Sequence, residues 1–162
     1  MATMTPQEIG FADTAPVRAE GSAMIAASPA EIWAVLLDYE AWPTWFLGVK
    51  SCRATSDPAT GVGSTRQVVL HGGSTFQERF IAWEEERLWS FTATEMKPPG
   101  FRALVERVTI EDLGPRRTKV TYRMAFDPTL PLKPLGPVLQ RVLSRTLTKA
   151  MKSLASEVAG RR

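Results

Sequence analysis

The residues of this chain best suited to chemistry are two glutamates and one tyrosine in apolar surroundings. Glu78, Glu106 and Tyr122 each have an apolar residue two positions before and two positions after them. Residues two apart in a strand point to the same face, so all three are candidates for a buried face. Burial disfavours a charged carboxyl group and raises its pKa, which suits a general acid or base. A tyrosine hydroxyl can donate a hydrogen bond there, although a tyrosine that simply packs in a core is more common.

Each glutamate also has an explanation without catalysis. Glu106 could form a salt bridge to an inward-facing arginine, or lie at the rim of the sheet near Phe101. The direction of Glu78 is ambiguous, because Ile81 and Trp83 make the opposite face of its strand apolar as well. Glu106 is therefore the first candidate for a general acid or base, and Glu78 the second.

Other kinds of catalytic site lack the residues they need. The only histidine, His71, stands beside Gly72 and Gly73 at a predicted hairpin end, where it is either solvated or in contact with a ligand at the rim. There is no G-x-S-x-G, H-E-x-x-H, C-x-x-C or phosphate-binding loop, and Cys52 is the only cysteine. We therefore expect no metal site, no nucleotide cofactor and no serine nucleophile.

The surrounding elements are mostly strands with short connections. Alternation and turn residues predict a first strand over 17–27, followed by six strands over 49–56, 63–71, 74–83, 87–96, 101–113 and 117–126. Consecutive strands joined in this way favour an antiparallel meander. Ser28 begins a predicted helix over Pro29–Leu37 with a capping box, and a second short helix or turn falls within 38–46. Helical spacing predicts one long amphipathic helix over Pro134–Val158.

The last two strands can be placed in register from their apolar residues. Their apolar faces coincide when a short hairpin sets Val108 beside Tyr122. In that register Glu106 lies on the inner face beside Met124. A carboxyl group on this apolar face is chemically unusual.

Four segments resemble a known superfamily. They are Ser28–Trp33 (SPAEIW), Asp38–Trp45 (DYEAWPTW), Gly61–Ser64 before a strand, and Thr118–Tyr122 (TKVTY). Together with the element order, they resemble the START-related SRPBCC superfamily, which includes polyketide cyclases/dehydratases, ring-hydroxylase domains and the birch-pollen allergen type. The resemblance covers about residues 17–158. We expect a loose leader over 1–15 and a single domain over 16–160.

The resemblance implies an α+β helix-grip fold. A curved antiparallel sheet of about seven strands would surround the long C-terminal helix, with two short helices after the first strand and an apolar cavity between sheet and helix. No catalytic motif of any one subfamily is present, so the resemblance assigns no catalytic residue. The residues expected to line the cavity are Trp45, Phe46, Phe76, Phe80, Trp89, Phe91, Val108, Tyr122, Met124, Leu139, Leu143 and Leu147, unless these large side chains pack a solid core.

Positive charge is concentrated at the C-terminal end of the chain. The net charge is +3, yet the residues from Lys133 onward carry seven lysines and arginines against Glu157 alone. Four of them form one face of the long helix: Arg141, Arg145, Lys149 and Lys152. This face is either solvated or attracts anionic lipid or an acidic partner. Nucleic acid is not expected, because no aromatic residues lie between the cations. With no signal peptide and no membrane span in the sequence, we expect a cytoplasmic location.

These observations favour a binding protein over an enzyme. The predicted inner face has few polar groups. An apolar surface with few polar groups is enough to bind a hydrophobic, lipid-, polyketide- or aromatic-like molecule for transport or sensing. One alternative is a cyclase/dehydratase-type enzyme that uses Glu106, with Glu78 and Tyr122, to move protons on a polyketide-like substrate. Another is a lipid-transfer module that docks on anionic membranes through its basic helix face.

Overall fold

The computed structural model describes all 162 residues, arranged as eight strands and four α-helices. The strands are β1 (Ala2–Thr3), β2 (Val17–Ile25), β3 (Val49–Ala54), β4 (Thr65–Leu70), β5 (Thr75–Glu84), β6 (Leu88–Lys97), β7 (Phe101–Asp112) and β8 (Thr118–Pro128). The helices are α1 (Phe11–Thr14), α2 (Pro29–Leu37), α3 (Trp42–Trp45) and α4 (Gly136–Gly160). Short 3-10 turns at Tyr39–Ala41 and Leu130–Leu135 precede α3 and α4.

The seven longer strands form one antiparallel sheet in the order β2-β8-β7-β6-β5-β4-β3. The sheet curves around α4, while α2 and α3 follow β2 and pack beside that helix. This arrangement confirms the predicted α+β helix-grip fold. The main core lies between the inner face of the sheet and the three helices α2, α3 and α4.

The start of α2 follows from its capping box. The Ser28 hydroxyl accepts a hydrogen bond from the Glu31 backbone N–H, and the Glu31 carboxylate accepts one from the Ser28 N–H. Both backbone donors would otherwise lack a partner at the first turn of the helix. The cap fixes where α2 begins and directs Trp33 into the core.

The predicted register of the last hairpin is confirmed. Val108 pairs with Tyr122, and Glu106 pairs with Met124. The direction of β5, which the sequence left open, depends on an irregularity in its pairing with β6 between Phe80 and Ala82. Because of that irregularity, Trp83 pairs with Trp89 and returns to the inner face that Glu78 and Phe80 share.

Helix α4 lies unusually close to β2 at a single glycine. A Cβ atom on Gly21 would be 2.3 Å from the backbone nitrogen of Thr148. Only a residue without a side chain permits this approach, which brings Leu147 and Met151 onto the core. The helix begins at Gly136 rather than at Pro134, because the residues from Leu130 to Leu135 form the 3-10 turn. No helix, α4 included, has the length and apolar composition needed to span a bilayer.

Residues 1–15 differ from the expected loose leader. Ala2 and Thr3 pair with β6, Met4 is buried, and α1 packs Ala12 against the outer face of β7 and β8. The Asp13 carboxylate forms ion pairs with Arg107 and Arg123 on those strands. The segment packs because that outer face carries the small apolar residues Val105 and Ala125, which α1 covers.

Candidate functional site

A cavity of about 70 Å³ lies on the inner face of the sheet, between β4, β5, β7 and β8 and the residues of α3. Four of the predicted lining residues border it: Phe46, Phe76, Tyr122 and Met124. The others lie elsewhere: Trp45, Phe80, Trp89, Phe91, Val108 and Leu147 are buried in the main core. Leu139 and Leu143 are half-buried against a second apolar cluster, which consists of Met4, Val17, Phe76, Ala93, Met96, Leu104 and Phe126. Ligand pockets commonly reach about 300–1,000 Å³, so this cavity has room for only a small part of such a ligand.

Aromatic packing accounts for the small volume. Trp42 contacts Trp45 at 4.7 Å between ring centroids and stacks on Phe46 at 5.7 Å. Phe46 in turn meets Tyr122 edge-on, and Trp89 contacts Phe80 at 5.0 Å. These rings fill most of the space between α3 and the sheet, where the sequence left open either a solid core or a pocket.

Arg66, which was not among the predicted site residues, is unusual because it is a buried arginine. Its side chain is 1% exposed, and its guanidinium lies between the rings of Trp42 and Phe91, at 4.3 and 4.4 Å from their centroids. Nε of Arg66 donates a hydrogen bond to Oε2 of Glu78 at 2.7 Å. Nη1 is buried and has no hydrogen-bond partner. A buried donor without a partner is costly in free energy.

Arg66 and Glu78 face each other because they are register partners on β4 and β5. They stand six residues before and six residues after Gly72. A hairpin centred on that glycine therefore predicts the pair, and this is the signal that could have identified it. The sequence of β4 (TRQVVL) does not by itself indicate a buried arginine, because its apolar and polar residues do not alternate clearly.

Glu106 and Tyr122 form the second polar pair of the cavity. The Tyr122 hydroxyl donates a hydrogen bond to Oε2 of Glu106, and both side chains are buried. Burial, together with the negative charge of Glu78, raises the pKa of Glu106 to about 8, against the opposing effects of Tyr122 and Arg66. Burial and the neighbouring Glu106 raise the pKa of Tyr122 well above its usual range. At neutral pH the carboxyl group of Glu106 is therefore mostly protonated and can donate a hydrogen bond.

The four polar residues of the cavity are Arg66, Glu78, Glu106 and Tyr122, and their charges depend on one another. Burial raises the pKa of Glu78 above its ordinary value, and the adjacent Arg66 charge opposes this rise. Arginine remains charged at any pH that a protein meets, so it supports one carboxylate beside it. When Arg66 and Glu78 form their ion pair and Glu106 and Tyr122 are neutral, the group has no net charge, and its unpaired donors are Nη1 of Arg66 and the carboxyl group of Glu106. It suits a ligand with an acceptor oxygen at one end.

The lining residues differ in depth. Arg66, Glu106 and Tyr122 are buried, whereas Leu70, Phe101 and Met124 are half-buried. All three half-buried residues pack against the second apolar cluster, which also contacts Leu139 and Leu143 of α4. The cavity thus runs from a deep polar end to a shallower apolar end near the N-terminal half of α4.

The remaining candidate residues lie away from this cavity. His71 is exposed in the β4–β5 turn. The four predicted basic residues of α4 are exposed and form no ion pairs: Arg141, Arg145, Lys149 and Lys152. No three histidine, cysteine, aspartate or glutamate side chains come together as a set of metal ligands.

Known proteins resemble this chain in sequence and in fold. A family described as "Polyketide cyclase / dehydrase and lipid transport" matches residues 16–159. An uncharacterised protein of Mycobacterium tuberculosis is 28% identical over 146 residues, which cover 90% of this chain and 87% of that protein. A START superfamily protein from Mycobacterium smegmatis superimposes with a TM-score of 0.77 at 19% identity, covering 90% of this chain and 99% of that one. The Zhui aromatase/cyclase from Streptomyces has a TM-score of 0.74 at 15% identity, covering 89% and 94%. These solved structures share the fold.

Proposed function

The chain belongs to the polyketide cyclase/dehydrase and lipid-transport family, and we propose that it binds an apolar small molecule bearing an acceptor oxygen at one end, as a carrier or sensor. The observation that carries this proposal is the buried Arg66, which lines an apolar cavity and whose Nη1 has no hydrogen-bond partner. A carbonyl, hydroxyl or carboxylate oxygen of the ligand would accept from Arg66 and from protonated Glu106. The apolar remainder would lie toward Leu70, Phe101 and Met124.

Binding a whole ligand requires the cavity to enlarge beyond 70 Å³. We expect the side chains at its shallow end to move, because they are only half-buried. The deep end is held by the ion pair and by the stacked rings around Arg66. We therefore expect the ligand to enter at the shallow end and to place its oxygen at the deep end.

The test is ligand capture by the purified protein. Native mass spectrometry and organic extraction should find a co-purified apolar molecule, and the double variant R66M/E78Q should lose it. Replacing both partners avoids leaving a buried charge unpaired. Arg79→Gln, an exposed position on β5, is the matched control and should retain the ligand. If the wild-type protein carries no ligand and takes up none from a panel of fatty acids and polycyclic phenols, the proposal fails.

A second candidate is a cyclase/dehydratase-type enzyme, favoured by the raised pKa of Glu106 beside a hydrogen-bonded Tyr122. A carboxylic acid with a pKa of about 8 can give and take protons at neutral pH. In this reading Glu106 is the general acid or base, Tyr122 donates to it, and Glu78 holds Arg66 in place. Glu106→Gln should then abolish turnover of a polyketide-like substrate while largely preserving its affinity, and unchanged turnover would exclude Glu106 as the catalytic group.

A third candidate, lipid transfer, adds a membrane surface to the carrier role. The cations of α4 that form no ion pairs support this candidate: Arg141, Arg145, Lys149 and Lys152. A cytoplasmic location belongs to the same proposal, as the compartment in which a carrier would meet the inner leaflet. Imaging a fluorescently tagged protein in its native cell tests that location.

A further inference from the structure

The N-terminal half of α4 exposes apolar side chains that the fold does not cover. Leu130 and Leu135 in the preceding turn, and Val138 and Val142 on the helix, are between 46% and 74% exposed. The buried stripe of α4 begins only at Leu147 and continues to Val158. The core therefore accounts for the C-terminal half of the helix. In the N-terminal half, Leu139 and Leu143 pack against the second apolar cluster, whereas Val138 and Val142 are exposed to solvent.

Cations surround these exposed apolar residues. Between Pro128 and Ser156 there is no acidic residue, and the basic residues are Lys133, Arg141, Arg145, Lys149 and Lys152. All five are exposed and none forms an ion pair. By contrast, Arg161 and Arg162 at the end of the chain pair with Asp38 and Glu31.

The helical spacing places the exposed valines and the basic residues on the same face of α4. Val138, Val142, Arg145 and Lys149 follow at i, i+4, i+7 and i+11, which forms one stripe along the helix. A helix with aliphatic residues beside a row of cations suits the interface of an anionic bilayer, where the aliphatic groups enter the acyl boundary and the cations meet phosphates. From Lys133 to Lys152 the basic residues extend over about 28 Å at the helical rise, which favours an extended anionic surface over a compact acidic patch.

We propose that this surface, formed by Leu130–Leu135 and the N-terminal half of α4, docks on anionic lipid bilayers. Leu139 and Leu143 belong to the same half of the helix and pack against the second apolar cluster, which also contacts the half-buried cavity residues Leu70, Phe101 and Met124. Docking would therefore bring the shallow end of the cavity near the bilayer, separated from it by Leu139 and Leu143, so that an apolar ligand could be exchanged there. The exchange step rests on the proposed carrier function, whereas docking rests on the exposed residues alone.

Vesicle sedimentation tests the docking. Wild-type protein should bind vesicles of phosphatidylcholine plus phosphatidylglycerol at least about tenfold more strongly than vesicles of phosphatidylcholine alone. The preference should disappear between about 0.1 M and about 1 M salt, as the screening length falls from about 10 Å to about 3 Å. Equal binding to both vesicles, or no binding, overturns the proposal.

Two variants and a matched control locate the surface. R141Q/R145Q/K149Q/K152Q should lose the preference for anionic vesicles, and V138S/V142S should bind them severalfold more weakly. The control K50Q/R79Q/K97Q/K119Q removes four exposed cations away from α4 and should bind like the wild type. If the control loses binding to the same extent as the α4 variant, net charge rather than this surface is responsible, and the proposal is wrong.

Ligand binding measured without vesicles separates this proposal from the carrier function. The α4 charge variant should retain its ligand in solution while failing to sediment with vesicles. The double variant R66M/E78Q should sediment normally without a ligand. If R66M/E78Q is folded and fails to sediment, the docking surface proposed here is wrong.

Discussion

Nε of Arg66 lies 2.7 Å from Oε2 of Glu78, and the two side chains are 1% and 5% exposed. A buried ion pair gains little stability over apolar residues of the same size, because both charges must leave water. This one also leaves Nη1 without a partner. Apolar residues of the same volume would stabilise the core at least as well as this pair. Its fixed charges are better suited to orienting a ligand.

Breaking this pair from one side should be costly. Glu78→Gln leaves the Arg66 charge buried without its counter-charge, so urea denaturation should show a loss of about 3–5 kcal/mol in the free energy of unfolding. The double variant R66M/E78Q removes both charges and should lose much less than the sum of the two single variants. Additive losses in this double-mutant cycle would mean that the two residues act independently.

Glu106 should make stability depend on pH in a particular direction. Its pKa is about 8 in the folded protein, against 4.5 as the ordinary value, so the folded state holds a proton that the unfolded state releases between these values. Stability therefore falls as pH rises from about 5 to about 8, by up to about 1.4 kcal/mol per pH unit. Glu106→Gln has no such proton, and denaturation curves at several pH values should show a shallower decline.

Tyr122→Phe serves as the companion variant in that experiment. The Tyr122 hydrogen bond lowers the pKa of Glu106, so its removal should raise that pKa and extend the decline in stability to higher pH. The groups that face Glu106 are Tyr122, Glu78 and Arg66. A wild-type profile that is flat between pH 5 and 8 would contradict the protonated state assigned to Glu106.

The close approach of α4 to β2 makes Gly21 sensitive to the smallest change. Gly21→Ala would place Cβ 2.3 Å from the Thr148 nitrogen, and the helix would have to shift. We expect a loss of about 1–3 kcal/mol in thermal or urea denaturation, as for other overpacked sites. Gly10→Ala is the control, because nothing lies within 4 Å of its Cβ position. Equal effects at the two glycines would argue against this helix placement.

Removing residues 1–15 distinguishes a packed segment from a loose one. The truncated protein loses the buried Met4 and uncovers Val105 and Ala125, so we expect its free energy of unfolding to fall by at least about 1.5 kcal/mol. Asp13→Asn removes only the exposed ion pairs to Arg107 and Arg123 and should cost less than about 1 kcal/mol. An unchanged stability after truncation would restore the interpretation of a loose leader.

Local patterns in the sequence determined the order of the elements, the start of α2 and the register of the last hairpin. The capping box at Ser28 set the start of α2, and alternation with turn residues set the order of the strands and the pairing of Val108 with Tyr122. The same register predicted that Glu106 faces inward. These features depend on residues close together in the chain or symmetric about one short turn, and for that reason they can be read from the sequence.

The tertiary structure alone decided the rest. The pairing irregularity in β5 determined that Glu78 and Trp83 share a face, and the packing of Trp42 and Phe91 around Arg66 determined that an arginine could be buried. The same aromatic packing reduced the predicted pocket to 70 Å³, and the outer face of β7 and β8 ordered residues 1–15. Burial, cavity volume and pKa depend on side chains from distant segments that meet only in the folded chain, and no local pattern encodes that meeting.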